Sequence, residues 1–257
     1  MRAPFLCVLA LCGAAASARA DDAWVGAPVL PDGRVAVTAV HEVLLSTYFY
    51  LPDEAGEAWA TGVDVAYAVT PRLTLGLGHS ARARGTLDHG GGWCHEGARQ
   101  RCDGAYAGAL VDARWRAYRG ARWTVAALVR AGVIGLEPVQ PVVRLGGSAR
   151  TTRGPWWLVV EPEVQVALGH REAGNRDVLI VPVWAGVGRG RAAAWVMTGV
   201  RGQTVGLREK LEIPFVIGSA VALRGVRVGV EAGWPKLIGP QNTFNVRHGA
   251  LFVAASF

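Results

Sequence analysis

Arg247-His248-Gly249-Ala250-Leu251-Phe252-Val253-Ala254-Ala255-Ser256-Phe257 closes the chain. In an extended strand, successive side chains point to opposite faces. Leu251, Val253, Ala255 and Phe257 therefore share one face, while His248, Ala250 and Ser256 share the other. Phe252 is the exception, an aromatic ring on the mixed face. A strand of this kind needs an apolar environment on one side only.

The same two-faced pattern recurs through the chain, and it predicts strands over 34–46, 59–69, 73–77, 105–117 and 123–133. Two neighbours carry it most plainly. Ala107, Ala109, Val111, Ala113 and Trp115 oppose Asp112, Arg114 and Arg116, and Trp123, Val125, Ala127, Val129, Ala131 and Val133 oppose Arg122, Thr124 and Arg130. Arginines opposite a continuous apolar face suit a wall between lipid and water. His41 interrupts the apolar face of the first strand.

Further strands are predicted over 139–147, 156–168, 177–187, from Gly190-Arg191 to residue 202, 211–223, 226–234, and from Phe244 to the end. Leu158, Val160, Val164 and Val166 would face outward, and Glu161, Glu163 and Gln165 inward. Pro138 and Pro141 weaken the sixth strand. Pro162 and Pro182 fall inside the seventh and eighth, where a paired strand should not hold proline, so bulges are expected there. The count is twelve, with ten as the alternative if the proline-bearing strands fail.

An apolar-faced strand running to a terminal phenylalanine resembles the closing strand of bacterial outer-membrane β-barrels. The stretch Val69-Thr70-Pro71-Arg72-Leu73-Thr74-Leu75-Gly76-Leu77 is similar to the short periplasmic hairpins of small barrels, including those encoded with aromatic-degradation pathways. The resemblance implies an all-β fold: a single transmembrane antiparallel β-barrel in the bacterial outer membrane, surrounded by outer-membrane lipid. It also implies that Phe257 belongs to the signal read by the barrel-assembly machinery. An even strand number places both termini in the periplasm. The turns at 70–71, 118–121, 188–191 and 224–225 then all fall on the periplasmic side. The longer segments at 47–58, 82–104, 169–176, 203–210 and 235–243 fall outside, as barrels of this kind require. Trp115, Trp123, Trp156 and Trp157 gather near predicted periplasmic strand ends, and Trp59 and Trp234 near outer ends, as aromatic girdles do.

Residues 1–20 read as a secretory signal peptide. Arg2 is its positive end, Phe5–Ala16 its apolar run, and Ala18-Arg19-Ala20 its cleavage site. The apolar run falls short of the ~20 residues of a spanning helix. Residues 21–257 form the barrel. The whole chain carries a formal +7, and loss of Arg2 and Arg19 leaves +5. Cleavage also removes Cys7 and Cys12, leaving Cys94 and Cys102 in one outer loop, where a disulfide is expected in an oxidising compartment. His89 and His95 lie nearby, but no Cys-x-x-Cys pair is present and no metal or cofactor is expected.

None of the six histidines has a serine two residues away, the spacing that puts both on one face of a strand. A lipid hydrolase is therefore disfavoured and the chain is read as not an enzyme. The arginines are dispersed, with no nucleic-acid motif or phosphate loop. The inward charges remain: Asp64, Arg114, Arg116, Arg130, Glu161, Glu163, Arg227 and Glu231 are the candidate pore-lining residues. They suit a passive channel for small solutes with anions preferred. Paired across the interior, the same charges suit a non-conducting structural or surface-interaction barrel.

Overall fold

The structure, a computed structural model, describes residues 30, 33–46, 56–78, 93–96, 108–136, 138–206, 211–224, 226–239 and 246–257. Its strands are β1 (Val35–Ser46), β2 (Gly56–Ala68), β3 (Leu73–Gly78), β4 (Trp93–Glu96), β5 (Ala109–Arg119), β6 (Trp123–Leu136) and β7 (Val139–Arg153). They continue with β8 (Trp156–Val160), β9 (Glu163–Ala167), β10 (Val178–Arg189), β11 (Ala192–Gln203), β12 (Ile213–Leu223), β13 (Val226–Ile238) and β14 (Val246–Ser256). Every pairing is antiparallel, and β4 pairs with β2 beyond the end of β3, continuing its line. With β8 and β9 as halves of one stave, the result is a closed barrel of twelve.

The seam lies between β1 and β14, which pair from Ala36–Ser256 to Ser46–Val246. Beyond that ladder, Val35 and Phe257 exchange both backbone hydrogen bonds, at 3.2 and 2.8 Å. That closure joins the two ends of the sheet to each other, the condition for a sheet to cross lipid. Connections at the end carrying Phe257 are tight. Gly154 and Gly190, at φ +59° and +60°, take up left-handed turn positions that a side chain would strain. The opposite end carries the longer connections, except between β6 and β7, where only 137–138 intervene.

The exterior is an apolar band. Val111, Val129, Leu145, Val164, Ile217, Val230 and Leu251 are all exposed, far more apolar surface than a water-soluble chain displays. Trp115, Tyr118, Trp123 and Trp156 ring the tight-turn end, Trp156 being 64% exposed. Trp157, grouped with them from its position near a strand end, points inward instead, because adjacent residues of a strand face opposite ways. Trp59 has no described side chain. His41 stands on the outer wall as the register partner of Thr61, with its Nδ1 3.0 Å from Thr61 Oγ1. That pairing answers a polar group on a lipid-facing wall.

The proline-bearing region resolves into one shared defect. The stave breaks between β8 and β9 at Glu161-Pro162, and the facing residues of β10 are Val181 and Pro182. Both prolines thus sit where the ladder is already interrupted. Glu161 N–H donates to Pro182 O (3.1 Å) and Gly147 N–H to Pro162 O (3.0 Å). A Cβ on Gly146 would collide with Pro162 O, so glycine is required opposite the bulge. The sixth strand runs to Arg153, past its predicted end, and the eleventh to Ile238.

Candidate functional site: the barrel interior

All eight candidate residues sit at inward positions of their staves, but at different burial. Arg130, Glu161 and Glu163 are essentially fully buried, Arg114 and Glu231 are buried, and Asp64, Arg116 and Arg227 are half-buried. The structure brings Arg130, Glu161 and Glu163 together and leaves Arg227 and Glu231 on the other side of the seam, on β13.

One wall, built by β5, β6, β7 and β9, is charged. Direct register partners form a row of Asp112, Arg130, Arg144 and Gln165. Two arginines side by side would repel, so each is answered. Arg130 binds Glu163 and lies 3.8 Å from Glu161, and Arg144 Nε donates to Gln165 Oε1 at 2.9 Å. Arg114 meets Asp112 through two contacts, of 2.7 and 2.8 Å. Ser148 Oγ donates to Glu161 Oε1 at 3.2 Å. Glu163 lies two staves from Arg130, and its direct partner on the intervening β7 is Gly146, where a side chain would strike Glu163 Cγ. The missing side chain opens the path by which the carboxylate crosses β7.

The other wall, from β8 through β10–β14 to β1, is aromatic and aliphatic. Trp157, Trp184, Trp195, Met197, Val216, Phe252 and Val40 form its cluster, Trp184 being 1% exposed. Here Phe252 finds its reason: the ring is inward because the interior itself is apolar on this side. Trp157, Trp195 and Phe252 each lie over a glycine that is their direct partner on the next stave: Gly186, Gly218 and Gly229. A Cβ on any of the three would run into the ring. The rings can therefore lie along the wall instead of projecting across the interior. Trp157–Trp195 and Trp195–Phe252 centroids are 6.4 and 6.2 Å apart, both tilted at 46°. Trp195 Nε1 donates to Glu231 Oε1 at 3.1 Å, so the ladder carries a buried acid at its centre.

At the tight-turn end the interior opens into a vestibule of about 520 Å³, whose lining includes Arg119, Arg122, Thr124, Arg150 and Thr152, with Trp157 behind them. Leu30 enters the barrel at this end, packing on Ala66 and Ala68 and donating its N–H to Thr74 Oγ1 at 3.2 Å. At the opposite end, the β9–β10 loop is tied down. Asn175 Nδ2 donates to Pro141 O and Gly169 O, and Gln140 Nε2 to Ala173 O. The Asp177 carboxyl is held below the ordinary carboxylate range by the Ala167 N–H (2.8 Å), against some burial, with Arg171 adding to the lowering.

Sequence reasoning missed Arg144, Arg150 and Arg119 as interior or mouth residues, and left Arg122, which it placed on the same face as Arg130, out of the pore-lining set. Arg144 was obscured by the prolines around its strand, and Arg150 lies beyond that strand's predicted end. Cys102 lies outside the described residues, as do residues 1–20, so neither the disulfide nor the leader has a described structure. Among the described residues, no three His, Cys, Asp or Glu side chains gather to hold a metal.

No protein-family model and no curated protein sequence matches the chain. Solved structures do. A KdgM porin in complex with disordered oligogalacturonate superposes with a TM-score of 0.58 at 9% identity, over 86% of this chain and 99% of that one. A NanC porin gives 0.58 at 8% identity, over 86% and 98%. The COG4313 outer membrane channel from Pseudomonas putida F1 gives 0.56 at 13% identity, over 93% and 100%. At such identities the likeness is one of fold. By that fold and by its apolar exterior, the chain has the architecture of a bacterial outer-membrane β-barrel.

Proposed function

We propose that this barrel is a passive channel for small solutes that admits anions in preference to cations. The observation that carries the reading is the vestibule at the tight-turn mouth, where Arg119, Arg122 and Arg150 stand together with two threonines. A concave site lined by one sign of charge concentrates counter-ions at its mouth. The candidate lining of Arg114, Arg116, Arg130 and Arg227 contributes less to the field than its formal charge. Arg114 is bound to Asp112 and Arg130 to Glu163. The interior then works as a narrow passage with a charged wall facing an aromatic one. In this reading residues 1–20 are a cleaved leader, residues 21–257 are the barrel, and the assembly machinery reads Phe257. Oxidised Cys94 and Cys102 close an outer loop.

A second reading, a non-conducting structural barrel, is favoured by the near-complete burial of Arg130, Arg144, Glu161, Glu163 and Gln165. Single-channel conductance of the refolded mature chain in planar bilayers separates the two. Steady openings whose reversal potential in a salt gradient reports anion preference support the channel. A folded, heat-modifiable barrel with no conductance overturns it in favour of the second reading.

A further inference from the structure

The tight-turn rim carries a collar of arginines. Arg72 lies in the β2–β3 turn, Arg119 and Arg122 flank the β5–β6 turn, and Arg153 closes β7. Arg189 and Arg191 flank the β10–β11 turn, and Arg224 is in the β12–β13 turn. All seven are exposed, and among the described residues of these turns and the adjoining strand ends there is no Asp or Glu. Such a field lies at the level where a membrane leaflet holds its phosphates.

Above one arc of the collar, the outer wall is hollowed. Ala194 and Ser219, direct partners on β11 and β12, lie in a cross-strand row between Val187 and Val230. With Trp156, Val196 and Ile217 they line an apolar groove of about 630 Å³. The groove leads to the arginines. Arg189 lies on the same face of β10 as Val187, one step nearer the rim, and Arg153 is the register partner of Trp156. The outer wall therefore joins an apolar trough to a cluster of cations at one end.

We propose that this groove and the arginines below it form a binding site for an anionic phospholipid of the periplasmic leaflet. One acyl chain lies along Ala194 and Ser219, and the phosphodiester is held by Arg153, Arg189 and Arg191. A second copy of the barrel is a poorer occupant, since in the same membrane it would bring its own collar to the same height, like charge against like.

The test is native mass spectrometry of the refolded chain, released from detergent with equal phosphatidylglycerol and phosphatidylethanolamine. Wild type retains phosphatidylglycerol in preference. Replacing Arg153, Arg189 and Arg191 together by Gln lowers that retention about tenfold or more, given the usual gain per surface arginine. Ala194→Phe, which fills the groove, lowers retention of both lipids. Equal retention of the two lipids by wild type, or retention unchanged in both variants, overturns the proposal. Heat-modifiable migration confirms that each variant is folded, and the readout does not depend on conductance.

Discussion

The indole of Trp195 lies over Gly218, its direct partner on the neighbouring stave, so closely that a Cβ at residue 218 would enter the ring. The obstructing atoms belong to a large ring packed between Trp157 and Phe252, which cannot swing aside without disturbing both. Gly218→Ala should therefore destabilise the barrel by about 1–3 kcal/mol, the range for overpacking a filled interior. Urea unfolding from lipid vesicles measures it. In bilayers, the same variant should narrow any conductance, because the displaced ring has only the interior to move into.

Arg130 lies against both Glu161 and Glu163, and all three are shut off from solvent. Removing one partner of a buried ionic group leaves uncompensated charge. Arg130→Met should cost about 3–5 kcal/mol. Adding Glu161→Gln and Glu163→Gln should recover more than half of that loss in the same unfolding assay. Equal stability of the single and triple variants would show that the cluster is not coupled.

Ion preference should follow the vestibule more than the buried row. Arg119→Glu with Arg122→Glu places two acids at the mouth without touching the bound pairs, and should move the reversal potential in a salt gradient toward cation preference. Arg114→Glu with Arg116→Glu should shift it less per charge and cost stability as well, since Asp112 loses its partner. The larger shift from the second pair would reverse this ranking.

Acid should loosen the β9–β10 loop. The native pKa of Asp177 lies below its ordinary value, so the carboxylate stabilises the loop fully above about pH 4 and ceases to as pH falls through the lowered native value. The hydrogen-exchange protection of residues 168–177, taken relative to the intrinsic exchange rate at each pH, should fall on going from pH 6 to below pH 4. Asp177→Asn should exchange faster at pH 6 and lose most of that pH dependence.

The stave pattern was legible because a wall between lipid and water forces alternation on nearly every strand, and residues 107–133 display it almost without fault. What filled the interior was not. Glu163 reaches Arg130 only because Gly146 leaves a gap on the stave between them, and a relationship across three staves leaves no mark on local periodicity. Phe252 broke the alternation because the interior is apolar on its side, a property set by Trp157, Trp184 and Trp195 on other strands. Pro162 and Pro182 counted as two faults in the sequence. In the barrel they are one, since each occupies the gap opposite the other.

The clasp between Val35 and Phe257 has a consequence for biogenesis. The first stave has its neighbour β2 on one side at once, but its neighbour on the other side is β14, the last strand of the barrel. No portion of the chain is a self-contained cylinder before that segment arrives, and contacts so distant in sequence form slowly. The polypeptide must therefore be kept from premature association until β14 is available, and the circle exists only once that strand has met β1.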